Sequence, residues 1–256
     1  MSGLHYLDPN PGGNVPVLLL HGLGTDGSSW VLQLAALAGA GFRPIAPDAP
    51  GFGASGYNGK GWSAHRLADQ LADLLRGLEA VPAHVIGLSM GGVLAQQFAH
   101  DHPALVSKLI LVSTFTVLRP DSPSGWKYFL RRAFSVLTRG PDAQAQIVAE
   151  RVFPEARDAE LRAMLVRSIR SADPRAYRGA MLTLAGFDSR RWLPRLQMPV
   201  LVVTGANDTT VSPMRQRLLA ERIPGAVQVV VADAGHAVPV DQPQVFNRLV
   251  LDFLGK

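Results

Sequence analysis

The chain has 256 residues, 47% of them hydrophobic and 18% charged, with 25 Gly, 19 Pro, no Cys and a formal net charge of +5. That apolar content with ordinary charge excludes a disordered chain, and at roughly 100–200 residues per domain the length suits one large domain or two small ones. The lack of cysteine excludes a disulfide scaffold, a thiolate metal site, an iron–sulfur cluster and a cysteine nucleophile.

The first residues, MSGLHYLDPN, carry neither a basic start nor an apolar stretch, so no secretory signal is expected. Apolar runs such as Val15–Leu20 fall well short of the roughly 18 residues that a membrane helix needs. A cytoplasmic, globular protein without membrane insertion is expected. Its first 115 residues alternate short β-rich runs with helical patterns. Val15–Leu20, Arg43–Pro47, His84–Leu88 and Leu109–Ser113 read as strands. Ser28–Ala38, Ser63–Leu78 and Met90–His100 carry apolar residues at helical spacing, clearest at Leu67, Leu71, Leu74, Leu75 and Leu78. This alternation predicts an α/β fold, with a mostly parallel central sheet flanked by helices on both faces.

From Phe115 to Pro194 the rhythm changes and no strand is evident. Trp126, Phe129, Leu130, Ala133, Phe134 and Leu137 share one helical face, and Leu161, Leu165 and Ile169 share another. Pro120, Pro123, Gly140-Pro141, Pro154 and Pro174 punctuate these helices. The expectation is an inserted all-helical lid over 115–194 in a core formed by 1–114 and 195–256. The α/β pattern then resumes with strands Val200–Thr204 and Val227–Ala232 and helices around Met214–Arg222 and Val245–Leu254.

The positive charge is concentrated in that middle segment. Residues 116–192 hold 14 Lys+Arg and 8 Asp+Glu, a net of +6, so the rest of the chain nets −1. No basic stretch is interleaved with aromatics, which argues against nucleic-acid binding. A solvated Arg-rich face and the steering of an anionic substrate are the two readings left for it.

Chemistry concentrates at predicted strand ends. His84-Val85-Ile86-Gly87-Leu88-Ser89-Met90-Gly91-Gly92 reads as strand, G-x-S-x-G, helix, a sharp turn that lifts Ser89 above the sheet. A serine hydroxyl is a weak nucleophile and needs a base, which a third group must orient. Of seven histidines only His236 follows both Ser89 and a late acid, the nucleophile–acid–histidine order that such an elbow implies. Asp208, in the loop Gly205-Ala206-Asn207-Asp208, is the favoured acid. Asp233 is too near His236 in the chain, and Asp241 looks like the cap of the last helix. Leu20-His21-Gly22-Leu23-Gly24 ends an earlier strand. The backbone N–H groups of Leu23 and Met90 are the expected oxyanion donors, with His21 holding the loop.

One motif competes. Gly22-Leu23-Gly24-Thr25-Asp26-Gly27 matches G-x-G-x-x-G, and Asp48 follows Gly27 by 21 residues, where a dinucleotide site would place its ribose-binding acid. That reading leaves Ser89, Asp208 and His236 as three coincidences, whereas a serine hydrolase accounts for the glycine loop as well.

HGLG at 21–24, DAPGFGAS at 48–55, GLSMGG at 87–92, GAND at 205–208 and AGH at 234–236 together resemble the α/β-hydrolase superfamily, over nearly the whole chain. The similarity is to its lid-bearing serine esterases and lactonases, including bacterial carboxylesterases and enol-lactonases. Epoxide hydrolases and haloalkane dehalogenases of this superfamily carry aspartate where Ser89 stands, so alkyl-enzyme chemistry is not expected. Carbon–carbon bond hydrolases usually carry tryptophan where Ala237 stands. The resemblance implies hydrolysis of a small-molecule carboxylic ester or lactone through an acyl-enzyme, with Ser89, Asp208 and His236 as triad and neither metal nor organic cofactor. Carbon–carbon hydrolysis of a diketone and a non-turnover small-molecule receptor are the alternatives. The stripe Trp126–Leu137 either faces the acyl pocket or packs on the core. Oligomeric state is not legible.

Overall fold

The computed structural model describes residues 3–118, 125–127, 130, 134 and 140–255, without the side chains of 140–143. Short runs of Val, Leu and Ile become the strands β1 (Tyr6–Leu7), β2 (Val15–Leu20), β3 (Phe42–Pro47), β4 (Ala83–Leu88), β5 (Val106–Val112), β6 (Val200–Gly205) and β7 (Val227–Val231). They form one sheet in the order β1-β3-β2-β4-β5-β6-β7. All neighbours are parallel except β1 and β3. The antiparallel edge strand β1 was not expected. Two residues carry too little alternation to signal a strand.

Successive side chains on a strand point to opposite faces, and here both faces are buried. Val17, Leu19, Ile86, Ile110 and Val203 pack beneath Trp30, Leu34 and Leu37 near α1 (Val31–Gly39) and under Phe246 and Val250 of α9 (Pro243–Leu254). Leu18, Leu20, Val85, Leu109 and Val202 pack on the other face beneath α2 (Ala64–Gly77) and α3 (Met90–Asp101). Each such side chain taken fully out of water contributes about 1.5–3 kcal/mol. Ser63 caps α2 by accepting the Arg66 N–H, and Leu67, Leu71, Leu74 and Leu75 form the buried stripe of this helix as its spacing predicts. The short helices α7 (Pro213–Ala220) and α8 (Val238–Asp241) follow β6 and β7.

Between β5 and β6 the described chain is helical: α4 (Gly140–Val152), α5 (Ala159–Ser171) and α6 (Pro174–Gly186). An isolated antiparallel bridge, Val117 to Asp188, closes the base of this segment. Leu165 and Ile169 are buried and Leu161 half-buried, as the sequence predicts. Phe129, Ala133, Leu137, Pro120 and Pro123 lie outside the described residues. Trp126, Leu130 and Phe134, from the same predicted face, are exposed. Pro174 opens α6 behind Asp173, whose carboxylate accepts the N–H groups of Arg175 and Ala176. The segment docks on the core through close backbone approaches. The Asp173 N–H donates to the Gly51 carbonyl at 2.8 Å, and Thr183 donates to the Trp62 carbonyl at 3.1 Å. Gly51 lies at φ +82°, where an added Cβ would sit 2.2 Å from Ala176 Cβ. Among the described residues, no helix is long and apolar enough to cross a membrane.

One strand residue departs from the apolar pattern. His84 on β4 is buried, with its ring edge-on to Phe42 and Nδ1 unpartnered. Burial, then the nearby Lys108 ammonium, pushes its imidazole down from the usual value to about 4. The unfolded chain therefore takes up this proton first as pH falls below roughly 6.5. Stability is lost from that pH down to about 4, the direction opposite to that of a histidine held in an ion pair. Urea denaturation at stepped pH should show the midpoint of the wild type falling more steeply below pH 6.5 than that of His84→Leu.

Candidate active site

The site forms at the carboxyl ends of the parallel strands. β4 ends at Leu88 and α3 begins at Met90, so Ser89 alone makes the turn, at φ 54° and ψ −109°. A non-glycine residue at positive φ costs on the order of 1–3 kcal/mol and persists only where its surroundings fix it. Here the Ser89 N–H donates to the Val112 carbonyl at 2.9 Å, and Thr114 Oγ1 donates to the Ser89 carbonyl at 2.8 Å. The flanking glycines are required by contact. A Cβ on Gly87 would lie 2.2 Å from the Gly91 carbonyl oxygen, and one on Gly91 would lie 2.0 Å from that of Leu20.

Beyond β6, the Asp208 carboxylate is buried and fully engaged. Oδ1 accepts the N–H groups of Thr210 at 2.8 Å and Val211 at 2.9 Å. Oδ2 accepts from Gln216 Nε2 at 3.0 Å and meets His236 Nδ1 at 2.9 Å. Because the carboxylate is an acceptor, Nδ1 of His236 carries the proton, which leaves Nε2 as the basic nitrogen. Asp233 is exposed, at φ 56°. Ser89, Asp208 and His236 line one cavity of about 990 Å³. The side-chain hydrogen bond of His236 is to Asp208 and not to Ser89, and a serine–histidine contact commonly tightens only when substrate is bound.

Two residues supporting this pair were not identified from the sequence as doing so. Gln216, on α7, is wholly buried and bridges Asp208 Oδ2 and the Val211 carbonyl. A glutamine eight positions after the acid carries no recognisable signal. Asp241 was expected to cap the last helix, and it does not. Gln242 occupies the N-cap position of α9, and Asp241 Oδ2 instead accepts the Gly235 N–H at 2.7 Å, one residue before His236. Burial raises the Asp241 carboxyl above the usual carboxylate range, against the stabilising Gly235 hydrogen bond; Asp158 adds to the rise and His236 opposes it. The Asn207 N–H donates to the Ala234 carbonyl at 2.9 Å, so the acid loop and the histidine loop are also tied to each other.

His21 has the supporting position expected of it. Its Nε2 accepts the Ala49 N–H at 2.9 Å, which puts the ring proton on Nδ1, 2.8 Å from the Gly22 carbonyl. Burial lowers its pKa, so the ring is neutral. The loop it steadies carries Leu23, on the cavity wall, and Gly24, at φ +83° against Ile169 of α5. Met90 lies behind the wall, wholly buried in the first turn of α3. Neither the Leu23 nor the Met90 N–H has an acceptor among the described residues. The competing dinucleotide pattern is accounted for structurally. Asp48 accepts from Gly27 N at 2.8 Å, from Ala54 N at 2.8 Å and pairs with His5 Nδ1 at 2.7 Å, so the acid of that pattern ties three loops together.

Comparison with known proteins agrees with this fold. The sequence profile of the α/β-hydrolase fold matches residues 15–243, and the chain belongs to that family. It is 30% identical to the poly(3-hydroxyalkanoate) depolymerase of Ectopseudomonas oleovorans over 93% of this chain and 84% of that one. It is 31% identical to a protein of Variovorax paradoxus named as a carbamate hydrolase, over 99% and 96% of the two chains. Its structure is similar to the enol-lactonase of Burkholderia xenovorans, with a TM-score of 0.89, 29% identity and coverage of 99% and 96%.

The hydrogen bonds around the histidine loop set its stability. Asp241→Ala leaves the Gly235 N–H without its acceptor and should cost about 1–3 kcal/mol. Asp241→Asn, whose amide oxygen can still accept, should cost less. Chemical denaturation of both variants checks the order.

Proposed function

We propose that this α/β-hydrolase cleaves a small-molecule carboxylic ester or lactone by a serine mechanism. The reading rests above all on one observation: a buried Asp208–His236 pair shares a cavity wall with a serine held at positive φ on a strand-to-helix turn. Ser89 is the nucleophile, His236 the general base and then the general acid, and Asp208 the group that orients the ring.

The geometry supports the following order of steps. His236 Nε2 removes the Ser89 proton as Oγ attacks the substrate carbonyl carbon. The imidazolium that forms is stabilised by the Asp208 carboxylate, whose remaining acceptor sites are occupied by Thr210, Val211 and Gln216. The carbonyl oxygen becomes an oxyanion, and the Leu23 and Met90 N–H groups, which have no acceptor among the described residues, are assigned to it. His236 then protonates the departing alkoxide, leaving Ser89 acylated. A water deprotonated by the same nitrogen attacks the acyl carbon, and its proton returns to Ser89 as the acid is released. In this reading 115–194 is a lid on a core made of 1–114 and 195–256. Support comes from Leu161 and Leu165 of α5 and Leu184 of α6, which line the cavity that holds Ser89.

The names of the relatives support the same class of reaction, attack at an acyl carbon, and separate the candidates for its substrate. An enol-lactonase and a poly(3-hydroxyalkanoate) depolymerase favour an ester linkage, and a carbamate is the comparison substrate.

Steady-state hydrolysis of p-nitrophenyl butyrate tests the mechanism. The wild type should turn over, and Ser89→Ala should lose a factor on the order of 10³–10⁶ in kcat. A serine-reactive phosphonate should add its mass to the wild type at Ser89 and leave the variant unmodified. A wild type no faster than Ser89→Ala on esters, lactones and carbamates alike overturns the reading.

A further inference from the structure

Helices that pack on a core keep their apolar residues on the core-facing stripe and place polar ones elsewhere. Three helices around the cavity break this rule at its mouth. On α1 the buried stripe is Gln33, Leu34 and Leu37, yet Val31 and Leu32, off that stripe, are 61% and 48% exposed. On α5 the buried residues are Leu165 and Ile169, and Met164 beside them is 54% exposed. On α6 Ala176, Tyr177, Ala180 and Leu184 are buried, and Leu182 is 65% exposed. Single exposed hydrophobics are ordinary, but a cluster around a concave site marks a binding surface. All four residues line the cavity that contains Ser89 and His236.

On the α1 side of the cavity the polar side chains are engaged with their own loop, while Arg167 and Ser168 of α5 also line the cavity. Asp26 accepts from the N–H and hydroxyl of Ser28, Ser29 donates to the Asp26 carbonyl, and Thr25 donates to the Gly22 carbonyl. The α1 side therefore offers apolar surface rather than hydrogen bonds, and Met164 and Leu182 extend that surface on the opposite side. Its continuity with the proposed nucleophile determines what covers it, namely a part of the substrate itself. We propose that Val31, Leu32, Met164 and Leu182 form a subsite for a long apolar chain of the ester, which runs from Ser89 to the mouth and lies between α1 and the α5–α6 pair. The inference rests on the ester reading above and deepens it, since it makes a long-chain ester the preferred substrate.

The experiment is a chain-length series from butyrate to decanoate in two arms: p-nitrophenyl esters that vary the acyl chain, and alkyl butyrates that vary the alcohol. In one arm kcat/KM of the wild type should climb by up to about fourfold per added methylene, the limit set by full burial of each CH₂. The arm that climbs tells whether the chain belongs to the acid or to the alcohol. Met164→Ser, Leu182→Ser and Leu32→Ser should each lower the ten-carbon to four-carbon ratio of that arm by about three- to tenfold, through loss of apolar contact. Val245→Ser, also exposed but on α9 and absent from the cavity lining, should leave that ratio unchanged. Butyrate turnover with a flat profile in both arms, or a ratio that the three variants do not move, overturns the subsite and leaves the ester reading standing. Calorimetric binding of decanoate against butyrate to Ser89→Ala reads the subsite without turnover. Equal affinity within this pair and within the pair decanol and butanol overturns it even if no ester is hydrolysed.

Discussion

Everything at this site depends on a backbone that passes from β4 into α3 within one residue. The crossing brings Gly91 so close to the end of β2, and Gly87 so close to Gly91, that no side chain fits at either position. Ser89 is left at positive φ between them, held through its N–H by β5 and through its carbonyl by Thr114. The strain is local, and the sheet that supports it is buried on both faces, so a tightly packed core fixes an unfavourable turn. The proposed nucleophile is therefore positioned by covalent geometry and packing before any ligand arrives.

Environment gives three buried histidines three different parts. His21 is neutral and bonds at both nitrogens, as donor to Gly22 and acceptor from Ala49, so it serves as a rivet for a loop. His84 is neutral because β4 buries it beside Lys108, and it is a cost to the fold at acid pH. His236 has a carboxylate on Nδ1, and that carboxylate is itself held by two backbone N–H groups and Gln216. A partner that fixes one nitrogen and leaves the other available distinguishes a candidate base from a structural ring.

The helical segment is registered on this core by contacts in which one side is glycine. Ile169 sits over Gly24, Ala176 and Asp173 over Gly51, and Gly179 against Trp62. Those positions place α5 and α6 beside the loop after β2, so the residues that roof the cavity and the loop that carries Leu23 are fixed with respect to each other. Substrate preference in the proposed reading then follows from side chains of α1, α5 and α6, whereas the reacting groups come from strand ends.

The sequence by itself determined the elements and their order, because period-two and period-3.6 apolar patterns are local properties that the core must satisfy; β2 and α2 fall within a residue of their predicted bounds. It also selected Ser89, Asp208 and His236, since a glycine-bracketed serine and two polar loops after strands are visible as pattern. It misassigned Asp241 and was silent on Gln216, on the two-residue β1 and on the exposed apolar residues at the cavity mouth. A capping position and a loop tether look alike in one dimension, and Met164 looks like any other apolar residue of a helix. Only the tertiary structure decided those roles, because they depend on which way each helix is rotated against the sheet and on which backbone N–H lies within about 3 Å of a given oxygen.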